Sequence, residues 1–109
     1  WLFARGMNPN LPDWLGVTRL HEFARRGDID KAAIFIDHGA DLHARDEDIR
    51  STPLGWAAKF GQTAMVELLL SRGATPNRSD DPPWATPLAW ANRRGHEEIV
   101  NLLKRHGAA

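Results

Sequence analysis

Histidines, clustered carboxylates and a few serines are the side chains of this sequence with the types that chemistry requires. His38 and His43, with Asp37 and Asp41 nearby, have the composition of a metal site. Helical ligands converge when they stand three or four apart on one face. These two are five apart with Gly39 between them, where a helix should end. His96 and His106 lack a third convergent ligand, so no metal is expected. His38 and His106 read instead as last-turn residues, where positive charge meets the negative end of a helix dipole. The acids gather as Asp46-Glu47-Asp48 and Asp80-Asp81. General acid–base work needs a pocket and one desolvated carboxyl, and neighbouring acids in a polar, turn-rich stretch read as a solvated loop tip. Ser51, Ser71 and Ser79 stand in no nucleophile-elbow context, and no glycine-rich phosphate loop occurs. The chain has no cysteine, which excludes disulfides, thiolate zinc sites, iron–sulfur clusters and a thiol nucleophile. No catalytic residue, cofactor or metal is expected, and the chain reads as a non-enzyme.

The bulk composition agrees with a binding role more than a chemical one. The 109 residues make one domain, and 42% apolar with 26% charged residues is ordinary globular material. Fourteen basic side chains balance fourteen acidic ones, without the basic excess of a nucleic-acid binder. Apolar runs such as Leu68-Leu69-Leu70 fall far short of the roughly 20 residues that span a bilayer, so neither nucleic acid nor membrane is expected as a partner. The absence of cysteine fits a reducing cytoplasm.

Repetition supplies the architecture. Thr18, Thr52 and Thr86 stand 34 apart, as do Gly27, Gly61 and Gly95, and the pairs Gly39-Ala40, Gly73-Ala74 and Gly107-Ala108. Each unit reads as two short helices and a long connection. A threonine hydroxyl caps the first helix, Pro53 and Pro87 take its first position at no cost in hydrogen bonds, and a glycine stops it. The second helix carries Ile34-Phe35-Ile36, Met65-Val66-Leu68-Leu69-Leu70 or Ile99-Val100-Leu102-Leu103. Residues 40–51 and 74–85 are polar loops or hairpin-like projections. Helices shorter than about 12–15 residues are marginal alone, so stacking of neighbouring pairs must stabilise them. The expected core columns are Leu20/Leu54/Leu88, Ala32/Val66/Val100, Ile34/Leu68/Leu102 and Phe35/Leu69/Leu103, with Ala57, Ala58 and Ala91 where helices approach closely. Lys31 interrupts the Met65/Ile99 position, and Ile29 is expected to fill the gap.

These residues resemble the ankyrin repeat. Thr52-Pro53-Leu54 with Ala57-Ala58, Gly61, Val66-Glu67-Leu68-Leu69-Leu70 and Gly73-Ala74 carry the likeness, and Thr86-Pro87-Leu88, Gly95-His96, Ile99-Val100-Asn101-Leu102-Leu103 and Gly107-Ala108 repeat it. The resemblance implies an all-α solenoid of stacked antiparallel helix pairs with projecting β-hairpin-like finger loops. It divides the chain into a tail and finger of a truncated repeat at 1–17, repeats at 18–51 and 52–85, and a C-terminal capping repeat at 86–109. The family period is about 33, so each internal finger here has one extra residue. The finger glycine is recognisable only as Gly16. The family's helix histidine survives as His21, replaced by Gly55 and Ala89 later, which puts its repeated hydrogen-bond network in question. Trp1-Leu2-Phe3-Ala4-Arg5-Gly6 aligns with Leu68-Leu69-Leu70-Ser71-Arg72-Gly73, so an apolar edge around Trp1, Phe3 and Phe23 is expected, with self-association as its risk. Lys104 and Asn92, where Leu70 and Ala58 stand one repeat earlier, suit a capping repeat.

Two columns exceed what a core needs. The position after the histidine holds Glu22, Trp56 and Trp90. The two before the first-helix glycine hold Arg25-Arg26, Lys59-Phe60 and Arg93-Arg94. In proteins this one resembles, these positions line the concave face beside the fingers, to which Trp14 and Trp84 add. Trp and Arg dominate binding hot spots, although Trp56 and Trp90 could equally stack on one another and seal the solenoid. The expected function is a protein–protein interaction module or scaffold, without catalysis, burying about 800 Å² per partner. The alternative is an accessory segment of a larger enzyme whose catalytic domain lies upstream of residue 1.

Overall fold

The computed structural model describes residues 16–47, 50–76 and 82–107. Six helices follow in three pairs: α1 (Arg19–Arg26) with α2 (Ile29–Asp37), α3 (Pro53–Lys59) with α4 (Thr63–Ser71), and α5 (Pro87–Arg94) with α6 (Glu97–Arg105). A single 3₁₀ turn, Pro83–Ala85, leads into α5. No strand occurs among the described residues. The first helices form one layer in which α3 packs between α1 and α5; α4 lies between α2 and α6 in the second.

The periodic residues act as punctuation. Thr18, Thr52 and Thr86 accept hydrogen bonds from the backbone N–H three residues on, at 3.4, 3.4 and 3.1 Å. Gly61 takes a left-handed φ of 71° at the turn between α3 and α4, and an added Cβ would stand 2.9 Å from the His96 ring. The left-handed backbone favours glycine there, and a larger residue would also have to displace the His96 ring.

Leu20, Leu54, Met65, Val66, Leu69, Ile99 and Leu103 are all fully buried, and Phe23 meets Phe35 edge-on at 5.0 Å. Ala57, Ala58 and Ala91 are fully buried in the helix layer, where larger side chains would hold α1, α3 and α5 apart. Ile29 packs against the core, as expected. Asn92 and Lys104 face solvent where Ala58 and Leu70 are buried.

Two expectations need correction. The Ile34/Leu68/Leu102 column is not core: Ile34 is 41% exposed and the other two are half-buried. Each helical residue advances about 100°, so Met65, Val66, Leu69 and Leu70 share a buried face and Leu68 falls outside it. Phe23, assigned to an open edge, is buried against Phe35. Trp1 and Phe3 lie outside the described residues.

Candidate partner-binding face

The residue types of a nucleophilic triad do converge, although nothing in their spacing announced it. His21, Ser51 and Asp46 are buried together beneath the first finger. A triad would need the imidazole on the serine hydroxyl and the carboxylate on the imidazole. Here His21 Nε2 donates instead to the Ser51 carbonyl at 3.0 Å. Its Nδ1 accepts from the Thr18 N–H at 3.1 Å, which fixes the neutral tautomer. Asp46 Oδ1 accepts from the Ser51 N–H and the Trp56 indole N–H, both at 3.0 Å. The Ser51 hydroxyl donates to the Ala85 carbonyl at 2.8 Å and accepts from the Trp90 indole at 2.7 Å. Every group is committed to holding the finger, and none is presented to a substrate. Burial pushes the His21 pKa below its ordinary value, outweighing the Ser51 carbonyl and the Asp46 charge, which pull the other way.

This network corrects the reading of the first acidic cluster. Asp46 is a buried acceptor, not part of a solvated tip; Asp48, Asp80 and Asp81 lie outside the described residues. It also answers the question left by the missing histidines. The place of a helix histidine at 55 is filled by Ser51, because a Cβ on Gly55 would stand 2.8 Å from the Ser51 Cβ. Three of the other four histidines are likewise occupied. His43 Nε2 accepts from the Thr75 N–H, His38 Nδ1 donates to the Ile34 carbonyl, and His96 Nε2 donates to the Lys59 carbonyl. No group of three or more metal-ligating side chains occurs among the described residues.

The residues assigned to binding fall into two kinds. Trp56 and Trp90 are 9% exposed and tie down the finger through their indole N–H groups. The Trp56 ring packs between His21, 5.2 Å away, and Phe60, 6.2 Å away. Phe60 and Trp84, by contrast, are 41% and 46% exposed. Trp84, on the finger's last turn, meets Trp90 edge-on at 6.4 Å. Two cations lie on that same Trp90 ring: Lys59 Nζ at 4.7 Å and the Arg93 guanidinium at 4.4 Å from its centroid. Lys59 is also 5.4 Å from the Phe60 ring. Arg25 is paired with Glu22 at 2.9 Å, and Arg26 and Arg94 are exposed. Trp14 lies outside the described residues.

Charge is segregated within this neutral chain. The first helices carry Arg19, Arg25, Arg26, Lys59, Arg93 and Arg94 against Glu22 alone. The second helices carry Asp30, Asp37, Glu67, Glu97 and Glu98 against Lys31, Lys104 and Arg105. Sequence reading placed the individual cations but missed this division, which is visible once helices are grouped by layer.

Comparison with known proteins fits the stacked pairs. A family model described as ankyrin repeats (3 copies) matches residues 1–80, and one described as ankyrin repeat matches residues 84–109. The chain belongs to the ankyrin-repeat family. Ankyrin repeats are non-catalytic protein-interaction modules, so a protein partner is the class of ligand this ankyrin fold takes. The chain is 41% identical over 51 residues to a Drosophila melanogaster protein described as "ARF GTPase-activating protein Git". That match covers 47% of this ankyrin chain and 7% of the relative. Among the described residues no helix is long and apolar enough to cross a membrane.

Proposed function

We propose that this ankyrin domain binds a protein partner through the face where α3, α5 and the end of the second finger meet, centred on Phe60, Trp84 and the cation-bearing Trp90 ring. One observation carries the reading: Phe60 and Trp84 are large aromatic side chains left exposed beside that ring. Single exposed apolar residues are common on any protein, but aromatics gathered with Lys and Arg have the composition of an interface centre. The network below holds the face in place, and no step of chemistry is asked of it.

The test is a peptide-display selection against the wild-type chain, with each selected ligand re-measured on Phe60→Ala/Trp84→Ala. Both residues are exposed, so the variant keeps its fold, which circular dichroism verifies. Truncating hot-spot residues costs about 2 kcal/mol or more, and ligands should weaken at least about tenfold. Undiminished binding to the variant would place the interface elsewhere.

A second reading makes these repeats an accessory segment of a larger enzyme. It is favoured by the likeness to a short stretch of a much longer protein whose name describes GTPase activation. Sequencing the full gene decides it: a catalytic domain with its own motifs supports this reading, and repeats alone remove it.

A further inference from the structure

We infer that the partner segment is acidic and extended, with carboxylates three residues apart seated on the Lys59 and Arg93 charges and an apolar side chain between them on Trp84. This deepens the proposed function and rests on it. Lys59 and Arg93 lie on one indole ring, so their charges are no farther apart than their two distances to its centroid combined. Among the described residues, neither they nor Arg26 and Arg94 have a carboxylate within ion-pair distance. The one acid of the first-helix layer, Glu22, is already held by Arg25. The ring faces attract these cations and hold them in place, but cannot neutralise them. Like charges held close together in this way repel until an anion joins them.

Spacing selects the shape of the ligand. Packed helices stand about 8–10 Å apart, and the shared Trp90 ring sets a similar upper limit, about 9 Å, on the separation of the Lys59 and Arg93 charges. A polyproline II segment rises about 3.1 Å per residue with three residues per turn. Its first and fourth side chains therefore share one edge about 9 Å apart, which matches the step between repeats. The residues between them meet the exposed Trp84 and Phe60 rings. A helical ligand would bring its carboxylates only about 6 Å apart at that separation in sequence, and a pleated strand would point them to opposite sides.

Fluorescence anisotropy of the full chain with labelled twelve-residue probes tests this. The probes are repeated glutamate–leucine–proline triplets, their lysine and serine counterparts, and a single-stranded oligodeoxynucleotide of the same length. The glutamate probe should bind, weaken on adding salt, and lose at least tenfold in affinity on Lys59→Glu/Arg93→Glu, which should then prefer the lysine probe. Both sites are exposed or half-exposed, and a thermal melt confirms that the variant is folded. Equal binding of the serine probe, lost on Trp84→Ala, overturns the acidic assignment while keeping the face as an interface. Tighter binding of the oligonucleotide overturns it in favour of nucleic acid. Failure of every probe overturns it as well, while the display selection still judges the face.

Discussion

The Ser51 hydroxyl donates to the Ala85 carbonyl at 2.8 Å, one repeat onward from the Ser51 carbonyl that His21 reaches at 3.0 Å. Two different side chains thus make the same link between successive pairs. In the first link an imidazole reaches from inside the helix. In the second a hydroxyl four residues earlier does so, in the space that Gly55 leaves open.

Ser51→Ala removes the second link and strands two partners, the Ala85 carbonyl and the Trp90 indole N–H. Unsatisfied buried groups cost about 1–3 kcal/mol each, so a loss of about 2–6 kcal/mol is expected in urea unfolding. A loss below about 0.5 kcal/mol would mean that water replaces the serine.

The first link makes stability depend on pH. Burial holds the folded His21 below its ordinary pKa of 6.5, so the unfolded chain takes up this proton first as pH falls. Its contribution is whole above about pH 6.5 and declines as pH drops below that value. Melting temperatures of wild type and His21→Gln, measured from pH 8 to pH 5, should converge toward the acid end. A constant gap would assign the pH dependence to other groups.

Leucines of the second helices should separate by face. Leu69→Ala, fully buried, is expected to cost about 2–5 kcal/mol as a core truncation. Leu68→Ala should cost about half that, and Ile34→Ala, more exposed still, under about 1 kcal/mol. Comparable losses at all three positions would restore the wider core that the sequence suggests.

Tryptophan truncations should divide in the same manner. Trp90→Ala loses a buried ring, its hydrogen bond to Ser51 and the seat of two cations, and should destabilise by about 3–5 kcal/mol. Trp84→Ala should stay within about 1 kcal/mol of wild type, as exposed positions do. Chemical denaturation of the two variants checks this, and equal losses would show that Trp84 is part of the fold's support.

A comparison of two glycines isolates a contact at the inter-helix turn. Gly61 and Gly95 share a left-handed φ of 71°, but only at Gly61 would an added Cβ meet another side chain, His96. Alanine costs about 1–2 kcal/mol for such a backbone at either site. Gly61→Ala should cost about 1 kcal/mol more, the worth of the His96 hydrogen bond to Lys59 that it disturbs. Equal costs would show that His96 moves aside freely.

The stacked pairs are legible because their determinants recur at 34 residues: a capping threonine, a leucine two residues on, a stop glycine. The finger's interior was not. Asp46 stands in a run of three acids, and nothing in composition distinguishes the one that turns inward to receive an indole N–H. Ser51 was visible only as a scarce residue; its role depends on the gap at Gly55, a relation between two positions rather than a property of either. The Ile34/Leu68/Leu102 column misled because α4 is apolar on most of its circumference, so periodicity could not find its edge. Lys59, Phe60, Trp84, Trp90 and Arg93 each stand out in the sequence, yet their meeting around one ring depends on rotamers that spacing does not encode.

The ties between pairs lie at both ends of the first-helix layer. His21 and Ser51 fasten the finger end, while Gln62 donates to the Arg25 carbonyl at 2.9 Å and His96 to that of Lys59 at the opposite end. One point of attachment would leave neighbouring pairs free to pivot; two fix the torsion between them, as a second hinge pin keeps a door from sagging. The curvature of the array is therefore set before any ligand arrives. Association then forfeits little backbone freedom, and the shape of the surface, rather than its adaptability, determines what fits.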